Sequence, residues 1–315
     1  MAVASEDLLA PTVKPIEAPF VHRLGRRLEE YVQLTRLNRP IGIWLLMWPM
    51  LWALWIAGDG RPDPKVLVVF ILGTVVMRSA GCIVNDFADR NVDPYVRRTR
   101  DRPLAARRIG PVEALCVFVV LVLVALLLVM QLDLFTIQLA CIGAALTISY
   151  PFLKRFFPMP QLYLGIAFGW AVPMAFAAQT GSLPRVVWVL FIATIIWAAV
   201  YDTLYAMVDR EDDFRIGVKS SAILFADMDR FLIAVLQIIM LLALYLAGRG
   251  MMFGTWYLAG LGAAALFFLY QQWLIRRRDP AMCFKAFLNN HYVGMVVFIG
   301  VLLEYVYSGP RLPPA

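Results

Sequence analysis

Charged and metal-binding side chains are scarce in this sequence of 315 residues. Only 16% of the residues are charged and 61% are hydrophobic, whereas soluble domains are typically about 25% charged and about 45–50% apolar. The two histidines lie far apart, and no two of the four cysteines have the CxxC spacing of a metal site. The sequence therefore argues against a disulfide framework and against a metal site built from cysteine or histidine. It carries more apolar surface than one water-soluble core can bury, which indicates a membrane protein.

Nine stretches of the sequence approach the length of about 20 apolar residues that a helix needs to cross a bilayer. They run over approximately 41–57, 66–88, 112–131, 133–150, 161–179, 186–205, 230–248, 255–275 and 291–308. This pattern predicts an all-α fold, a polytopic membrane bundle of about nine transmembrane helices. We expect one transmembrane domain at 36–308, followed by a short C-terminal tail at 309–315.

Lysine and arginine are distributed unevenly between the linkers. Of the 29 Lys and Arg residues, 23 lie in the N-terminal tail and in every second linker after it, and five lie in the alternate linkers. Because basic residues are retained on the cytoplasmic side of membrane proteins, the N-terminus is predicted to be cytoplasmic and the C-terminus to lie outside. The basic residues follow the membrane topology, and no nucleic-acid partner is expected.

The N-terminal tail, 1–35, is predicted to be cytoplasmic and disordered. Its first 20 residues are polar, contain three prolines, and lack the apolar core of a signal peptide. They also lack the Arg- and Ser-rich composition of a mitochondrial transit peptide. This composition favours a multi-pass protein of the bacterial inner (plasma) membrane.

Two acidic stripes begin inside apolar spans and continue past their predicted cytoplasmic ends. Asn85, Asp89 and Asp93 follow the second span, and Asp202, Asp209 and Asp213 follow the sixth. The spacings place each set on one helix face, where like charges repel each other unless a cation lies between them. Oxygen ligands without cysteine or histidine suit Mg²⁺, which typically takes one or two carboxylates together with substrate phosphates. The alternative interpretation is a solvated helix end whose acids face water.

Basic residues accompany both stripes. Arg98 and Arg102 follow the first stripe and Lys219 follows the second; these could hold the free oxygens of a diphosphate or could simply mark topology. Arg78 lies seven residues before Asn85, hence on the same helix face and deeper in the membrane. A buried arginine needs a partner, which is either a substrate oxygen or a structural ion pair.

The two acidic segments resemble the two signatures of the intramembrane aromatic prenyltransferase family. The matching residues are Asn85-Asp86-x-x-Asp89-x-x-x-Asp93 with Arg98-Thr99-x-x-Arg102-Pro103-Leu104, and Tyr201-Asp202-Thr203-x-Tyr205-Ala206-x-x-Asp209-x-x-x-Asp213 with Ile216-Gly217-x-Lys219-Ser220. Arg36-x-Asn38-Arg39-Pro40-Ile41-Gly42 and Tyr150-Pro151-x-x-Lys154-Arg155 also fit. The resemblance extends from about residue 36 to the last span.

The resemblance implies a central cavity capped on the cytoplasmic side, and a set of functional residues around it. Mg²⁺ would be bound by Asn85, Asp89, Asp93, Asp202, Asp209 and Asp213. Asn85, Asp89 and Asp209 would be catalytic. Substrate would be bound by Arg36, Arg102, Arg155 and Lys219, to which we add Arg78 and Arg98 as candidates.

The resemblance also implies a reaction. The expected chemistry is Mg²⁺-dependent transfer of a long-chain prenyl group, octaprenyl or similar, from a polyprenyl diphosphate to the ring carbon ortho to the hydroxyl of 4-hydroxybenzoate, in ubiquinone biosynthesis. The isoprenoid tail would lie against membrane lipid. One alternative keeps this chemistry but uses another aromatic acceptor or haem. An alternative of another class is an ion-coupled transporter, whose acids should lie near the middle of the membrane.

Overall fold

The structure is a computed structural model that describes residues 20–153, 159–216 and 226–310. Within these ranges the regular structure is entirely helical, which confirms the predicted all-α class. The α-helices are α1 (Phe20–Leu34), α2 (Ile41–Ala57), α3 (Pro64–Asp89), α4 (Pro111–Val129), α5 (Leu134–Leu153), α6 (Pro160–Gly169), α7 (Ala171–Thr180), α8 (Arg185–Ile216), α9 (Asp229–Gly250), α10 (Thr255–Leu274) and α11 (Pro280–Ser308). Short 3₁₀ turns occupy Asp93–Tyr95, Ala226–Met228 and Ile275–Arg277.

The protein is a multi-pass membrane protein. In the described ranges, eight helical segments are long and apolar enough to span a bilayer, with α6 and α7 forming one of them around Trp170. The shorter α2, with 17 apolar residues, is the ninth apolar helix. Each of the nine stretches predicted from the sequence coincides with one of these segments, while the number of crossings and the side of the N-terminus stay predictions.

Two helices extend well beyond their predicted ends. The ninth span was predicted to begin at 291, but α11 begins at Pro280, where Asp279 caps the helix by accepting a hydrogen bond from the Met282 amide at 3.0 Å. The sixth span was predicted to end at 205, but α8 continues to Ile216. Hydropathy alone ends a span where polar residues begin, whereas a helix continues as long as its backbone hydrogen bonds are unbroken.

The prediction of a disordered tail was wrong for 20–34, which form α1. Leu34 is fully buried in a small apolar cluster with Ile83 of α3 and Leu104 of the α3–α4 loop. The Tyr31 hydroxyl donates to Glu113 of α4 at 2.7 Å. These contacts with residues far away in the sequence order the helix. Residues 1–19 lie outside the described ranges.

Tryptophan and glycine pack the centre of the bundle. Trp52 of α2 and Trp197 of α8 are buried and stack with their ring centroids 5.4 Å apart. Their indole nitrogens donate to α11, at the Gly294 carbonyl (3.0 Å) and the Asn290 side chain (2.9 Å). A Cβ at Gly294 would lie 2.5 Å from Trp48, so glycine allows the close approach that membrane helices use in packing. This packing holds α2, α8 and α11 as a fixed frame for the site.

A cavity between the two acidic segments

A central cavity of about 1980 Å³ lies between the helices and is lined by both acidic segments. It exceeds the roughly 300–1,000 Å³ of ordinary ligand pockets. The predicted site residues on its wall are Asn85, Asp89, Asp93, Asp202, Asp209, Arg36, Arg78, Arg98 and Arg102. The cavity continues along apolar side chains of α4 and α5, among them Leu126 and Ile137. It therefore combines a charged end with an apolar extension.

The first acidic stripe is only partly helical. Asn85 and Asp89 lie on the last turns of α3, but the helix ends at Asp89, and Asp93 lies in the following 3₁₀ turn. The expectation of one continuous helical stripe was therefore wrong for Asp93. The loop nevertheless returns Asp93 to the cavity, where Arg102 donates to its carboxylate at 2.8 Å. Burial raises the pKa of the Asp93 carboxyl, and Arg102 opposes that shift.

Asp86 is an important residue that the sequence interpretation missed. It is 1% exposed, and its Oδ1 accepts hydrogen bonds from Arg36 at 2.5 Å and from Arg102 at 3.0 Å. Asp86 thereby ties the α1–α2 linker and the α3–α4 loop to α3. Its position next to Asn85, about 100° around the helix, takes it off the stripe. The pairing of two distant arginines could not be read from the sequence.

The second acidic segment is held by an arginine from the first. Asp202 and Asp209 lie seven residues apart on one face of α8 and both line the cavity. Arg98 forms a forked contact with Asp209, with Nε to Oδ1 at 2.9 Å and Nη2 to Oδ2 at 2.5 Å. It also donates to the Tyr205 hydroxyl and lies 4.5 Å from the centroid of that ring. Burial works against the Arg98 charge, but the contacts with Tyr205 and Asp209 outweigh it and raise the pKa of the guanidinium.

Three predicted site residues cannot be placed. The side chain of Asp213, and all of Arg155 and Lys219, lie outside the described part of the chain. Their roles stay predictions from the resemblance.

Arg78 lies deeper in the cavity and pairs with no carboxylate among the described residues. Its Nη1 donates to the Cys82 thiol at 2.7 Å, its guanidinium lies 5.9 Å from the Phe168 ring centroid, and its buried Nε has no hydrogen-bond partner. Gly42 of α2 makes room for it, since a Cβ there would lie 2.3 Å from Nε. The described residues thus provide no structural ion pair for Arg78.

The donor set suits a metal that is held jointly by protein and substrate. No group of three or more acidic, histidine or cysteine side chains in the described ranges could hold a metal ion by itself. Mg²⁺ seldom needs such a cage, since it usually takes one or two carboxylates with phosphate oxygens and water. Asn85, Asp89 and Asp202 provide oxygen donors on the two sides of one cavity. These residues fit Mg²⁺ bound together with a diphosphate.

Comparison with known proteins agrees with this geometry. Residues 46–309 match the sequence profile of the UbiA prenyltransferase family. A 4-hydroxybenzoate octaprenyltransferase of Methylococcus capsulatus is 55% identical over 288 residues, which cover 91% of this chain and 99% of that protein. A 4-hydroxybenzoate octaprenyltransferase of Nitrosococcus oceani is 58% identical over 283 residues, which cover 90% of this chain and 99% of that protein.

Two solved structures share the fold. A UbiA homolog from Aeropyrum pernix K1 superposes with a TM-score of 0.73 at 20% identity, covering 82% of this chain and 97% of that one. A UbiA homolog from Archaeoglobus fulgidus bound to GPP and Mg²⁺ superposes with a TM-score of 0.65 at 15% identity, covering 87% of this chain and 99% of that one. At sequence identities this low, the comparison shows that the fold is shared and assigns no role to individual residues.

Proposed function

The chain belongs to the UbiA prenyltransferase family, and we propose that it transfers an octaprenyl group from a prenyl diphosphate to 4-hydroxybenzoate in ubiquinone biosynthesis. The observation that carries this proposal is a cavity whose charged end is lined by both acidic segments and by arginines, Arg36, Arg98 and Arg102 among them, and whose wall along α4 and α5 is mostly apolar. A prenyl diphosphate has the same two parts, a charged head and a long apolar tail. The curated relatives act on 4-hydroxybenzoate by name.

The diphosphate head would lie at the charged end. We assign Mg²⁺ binding to Asn85, Asp89, Asp93, Asp202, Asp209 and Asp213, of which Asn85, Asp89 and Asp209 are the catalytic candidates. Bound Mg²⁺ would neutralise the charge that develops on the leaving diphosphate.

The arginines of the charged end have a second role in this proposal. Arg98 and Arg102 form hydrogen-bonded ion pairs with Asp209 and Asp93. This pairing balances like charges that would otherwise repel. A diphosphate offers the same guanidinium groups strong acceptor oxygens. We assign Arg36 to the same end, together with Arg155 and Lys219 from the resemblance alone.

Arg78 is assigned to the carboxylate of 4-hydroxybenzoate. A guanidinium in an apolar protein interior is costly without an anion, and no described carboxylate pairs with it. The carboxylate of the acceptor would supply that anion and would fix which end of the ring points into the cavity. The hydroxyl, at the opposite end of the ring, would then point toward the diphosphate.

The bond changes follow from this placement. The C1–O bond of the prenyl diphosphate breaks and leaves its electron pair on the diphosphate. The ring carbon ortho to the hydroxyl forms a new bond to C1, and the proton on that carbon passes to the departed diphosphate or to a carboxylate of the charged end. An allylic cation is destroyed by water, so the site must exclude water. Aromatic faces on the cavity wall, such as Tyr205 and Phe287, can stabilise a cation without attacking it.

We place the enzyme in the bacterial inner membrane with the charged end toward the cytoplasm. The excess of Lys and Arg in alternate linkers supports this orientation. The acidic residues lie at and just after the C-terminal end of α3 and along the C-terminal half of α8. This position suits a water-soluble acceptor and a diphosphate head better than an ion path through the middle of the membrane.

The test is product formation by the purified protein in lipid, with 4-hydroxybenzoate, a prenyl diphosphate and Mg²⁺. We expect prenylated 4-hydroxybenzoate that disappears with EDTA and in Asp89→Asn. Asp133→Asn is the matched control, because Asp133 caps α5 outside the cavity and asparagine caps equally well. Folded wild-type protein that forms no product would reject 4-hydroxybenzoate as the acceptor. Equal loss in both variants would reject the assigned role of Asp89.

A further inference from the structure

Gln161 is a buried amide on the cavity wall whose polar atoms are unpaired within the described part of the chain. It lies in the first turn of α6, is 1% exposed and lines the cavity. Neither Oε1 nor Nε2 has a hydrogen-bond partner among the described residues. Buried amides in proteins are nearly always hydrogen-bonded, because burial without a partner costs free energy. An unpaired amide that faces a ligand cavity therefore indicates that the ligand supplies the partner.

Helix geometry fixes the depth of Gln161 in the cavity. The Arg78 guanidinium of α3 lies 5.9 Å from the ring centroid of Phe168 of α6, so the guanidinium and this ring are at a similar depth. Two apolar helices, α4 and α5, lie between them in the sequence, so with each predicted as one crossing α3 and α6 run in opposite directions. On α6, Gln161 precedes Phe168 by seven residues, and on α3, Asn85 follows Arg78 by seven. Seven residues are almost two helical turns, so the two members of each pair lie on the same face of their helix, about 10 Å apart along its axis. Gln161 therefore lies about 10 Å from the level of the Arg78 guanidinium, toward the charged end, in the part of the cavity that Asn85 and Asp89 line.

We propose that the Gln161 carboxamide binds the hydroxyl of the aromatic acceptor. This inference rests on the proposed function, in which Arg78 holds the acceptor carboxylate. With the carboxylate at Arg78, the para hydroxyl points toward the level of Gln161 and Asn85. The orientation brings the carbon ortho to the hydroxyl next to the end where the diphosphate is bound.

The chemistry of the amide suits a phenol better than a diphosphate. A phenol hydroxyl donates one hydrogen bond and accepts others, and a carboxamide offers one oxygen acceptor and two N–H donors. When Oε1 accepts a hydrogen bond from the phenol hydroxyl, electron density on the phenol oxygen increases. This density extends into the ring and supports attack by the ortho carbon. The O–H bond stays intact, and the proton that leaves comes from the ring carbon. A diphosphate offers only acceptor oxygens, for which the arginines nearby are stronger partners.

The resulting site recognises the acceptor at both ends. Arg78 selects a carboxylate and Gln161 selects a hydroxyl opposite to it. A ring that lacks the hydroxyl would leave the buried amide unpaired, which is the kind of mismatch that binding sites reject most strongly. Gln161 is thus assigned as a substrate-binding residue that determines acceptor specificity.

The experiment compares 4-hydroxybenzoate with benzoate, which lacks only the hydroxyl, in wild-type protein and in Gln161→Met. The measured quantity is the ratio of the inhibition constant of benzoate to the KM for 4-hydroxybenzoate. We expect a wild-type ratio of about fivefold or more, the order that one net hydrogen bond provides, and a ratio near one in Gln161→Met. Gln138→Met, the same change on the exposed side of α5 and outside the cavity, should keep the wild-type ratio. The KM for the prenyl diphosphate should be unchanged in both variants.

The outcomes separate this inference from the function on which it rests. If wild-type protein forms no product from 4-hydroxybenzoate, the proposed function fails and this inference falls with it. If product forms and Gln161→Met keeps the wild-type ratio, only the inference about Gln161 is overturned. If the inhibition constant of benzoate equals the KM for 4-hydroxybenzoate in wild-type protein, the inference about Gln161 is overturned without any variant. A structural role predicts a lower melting temperature for ligand-free Gln161→Met, whereas removal of an unpaired buried amide predicts an equal or higher one.

Discussion

Arg98 connects the two acidic segments through one side chain. It follows the first segment in the sequence, yet its guanidinium contacts both carboxylate oxygens of Asp209 and the hydroxyl and ring of Tyr205. The planar fork of arginine matches a carboxylate and stacks on an aromatic ring, and a lysine ammonium does neither. The positions of Asp209 and Tyr205 on α8 are therefore coupled to the loop that carries Arg98.

For Arg98→Lys we expect a fall of about 10- to 100-fold in kcat/KM for the prenyl diphosphate. That range corresponds to the loss of a charge-assisted contact of about 1.5–3 kcal/mol. Arg100→Lys is the matched control, since Arg100 is in the same loop, its side chain is 62% exposed, and its salt-bridge partner among the described residues is Asp101 at 3.8 Å. Steady-state kinetics of both variants would test this, and equal values for the two would contradict the role of Arg98.

Gly42 affects activity through the space that it leaves for Arg78. A Cβ at this position would lie within 2.8 Å of three guanidinium atoms of Arg78. We expect Gly42→Ala to displace the guanidinium and to raise the KM for 4-hydroxybenzoate about tenfold, with the KM for prenyl diphosphate little changed. Gly262→Ala, a helical position with open space around it, should leave both constants at their wild-type values. A change confined to the diphosphate KM would contradict the assignment of Arg78.

At the scale of elements, Asp86 joins three parts of the chain. The α1–α2 linker and the α3–α4 loop each contribute one arginine to its buried carboxylate on α3. Removal of one partner from a buried ion pair typically costs about 3–5 kcal/mol, because the remaining charges lose their counterion. The ordering of the loop that carries Arg98 and Asp93 thus depends on a residue that does not line the cavity.

We expect Asp86→Ala to lower the melting temperature of the detergent-solubilised protein by several degrees and to reduce activity as well. Glu29→Ala on the exposed face of α1 should change neither property. The measurement is a thermal unfolding series followed by fluorescence-detected gel filtration. A variant as stable as the wild type would show that Arg36 and Arg102 hold the loop without Asp86.

The sequence predicted the helices and the acidic stripes better than the segments that connect them. Hydropathy over about 20 residues located each of the nine apolar helical segments in the described ranges, because a span must be apolar over its whole length. The seven-residue spacing of Asp202 and Asp209 placed both residues on one face of α8, as the structure has them. The loop position of Asp93 and the pairing of Asp86 depend on contacts between distant segments, which no local pattern records. The same reason explains why α1, ordered by Leu34 and Tyr31 against other elements, was mistaken for disorder.

At the scale of the whole molecule, the cavity extends from the charged end into the opposite half of the bilayer. Ala125 lines it although it lies 14 residues along α4 from Pro111, roughly 20 Å from the end of the bundle that carries the acids. The wall there is formed by small and aliphatic side chains of α4 and α5. This part of the cavity is where we expect the isoprenoid tail to lie.

Ala125→Phe should therefore discriminate between long and short donors. We expect the ratio of kcat/KM for octaprenyl diphosphate to that for geranyl diphosphate to fall about tenfold, because the larger side chain blocks the tail and leaves the head site intact. Leu127→Phe, two residues away and 66% exposed on the outer face of α4, is the control. An unchanged ratio in Ala125→Phe would place the tail elsewhere.

On the side of α4, the wall of the cavity is a single helix, and this affects how the prenyl diphosphate reaches the site. α4 packs mainly on α3 and has little contact with α5. Ala114 is its one buried residue, so this helix alone separates the apolar part of the cavity from lipid. A donor that enters from this side never leaves the bilayer. Its supply is then set by its mole fraction among the lipids and by diffusion in two dimensions. Turnover at a fixed bulk concentration should fall when the same donor is diluted with more phospholipid.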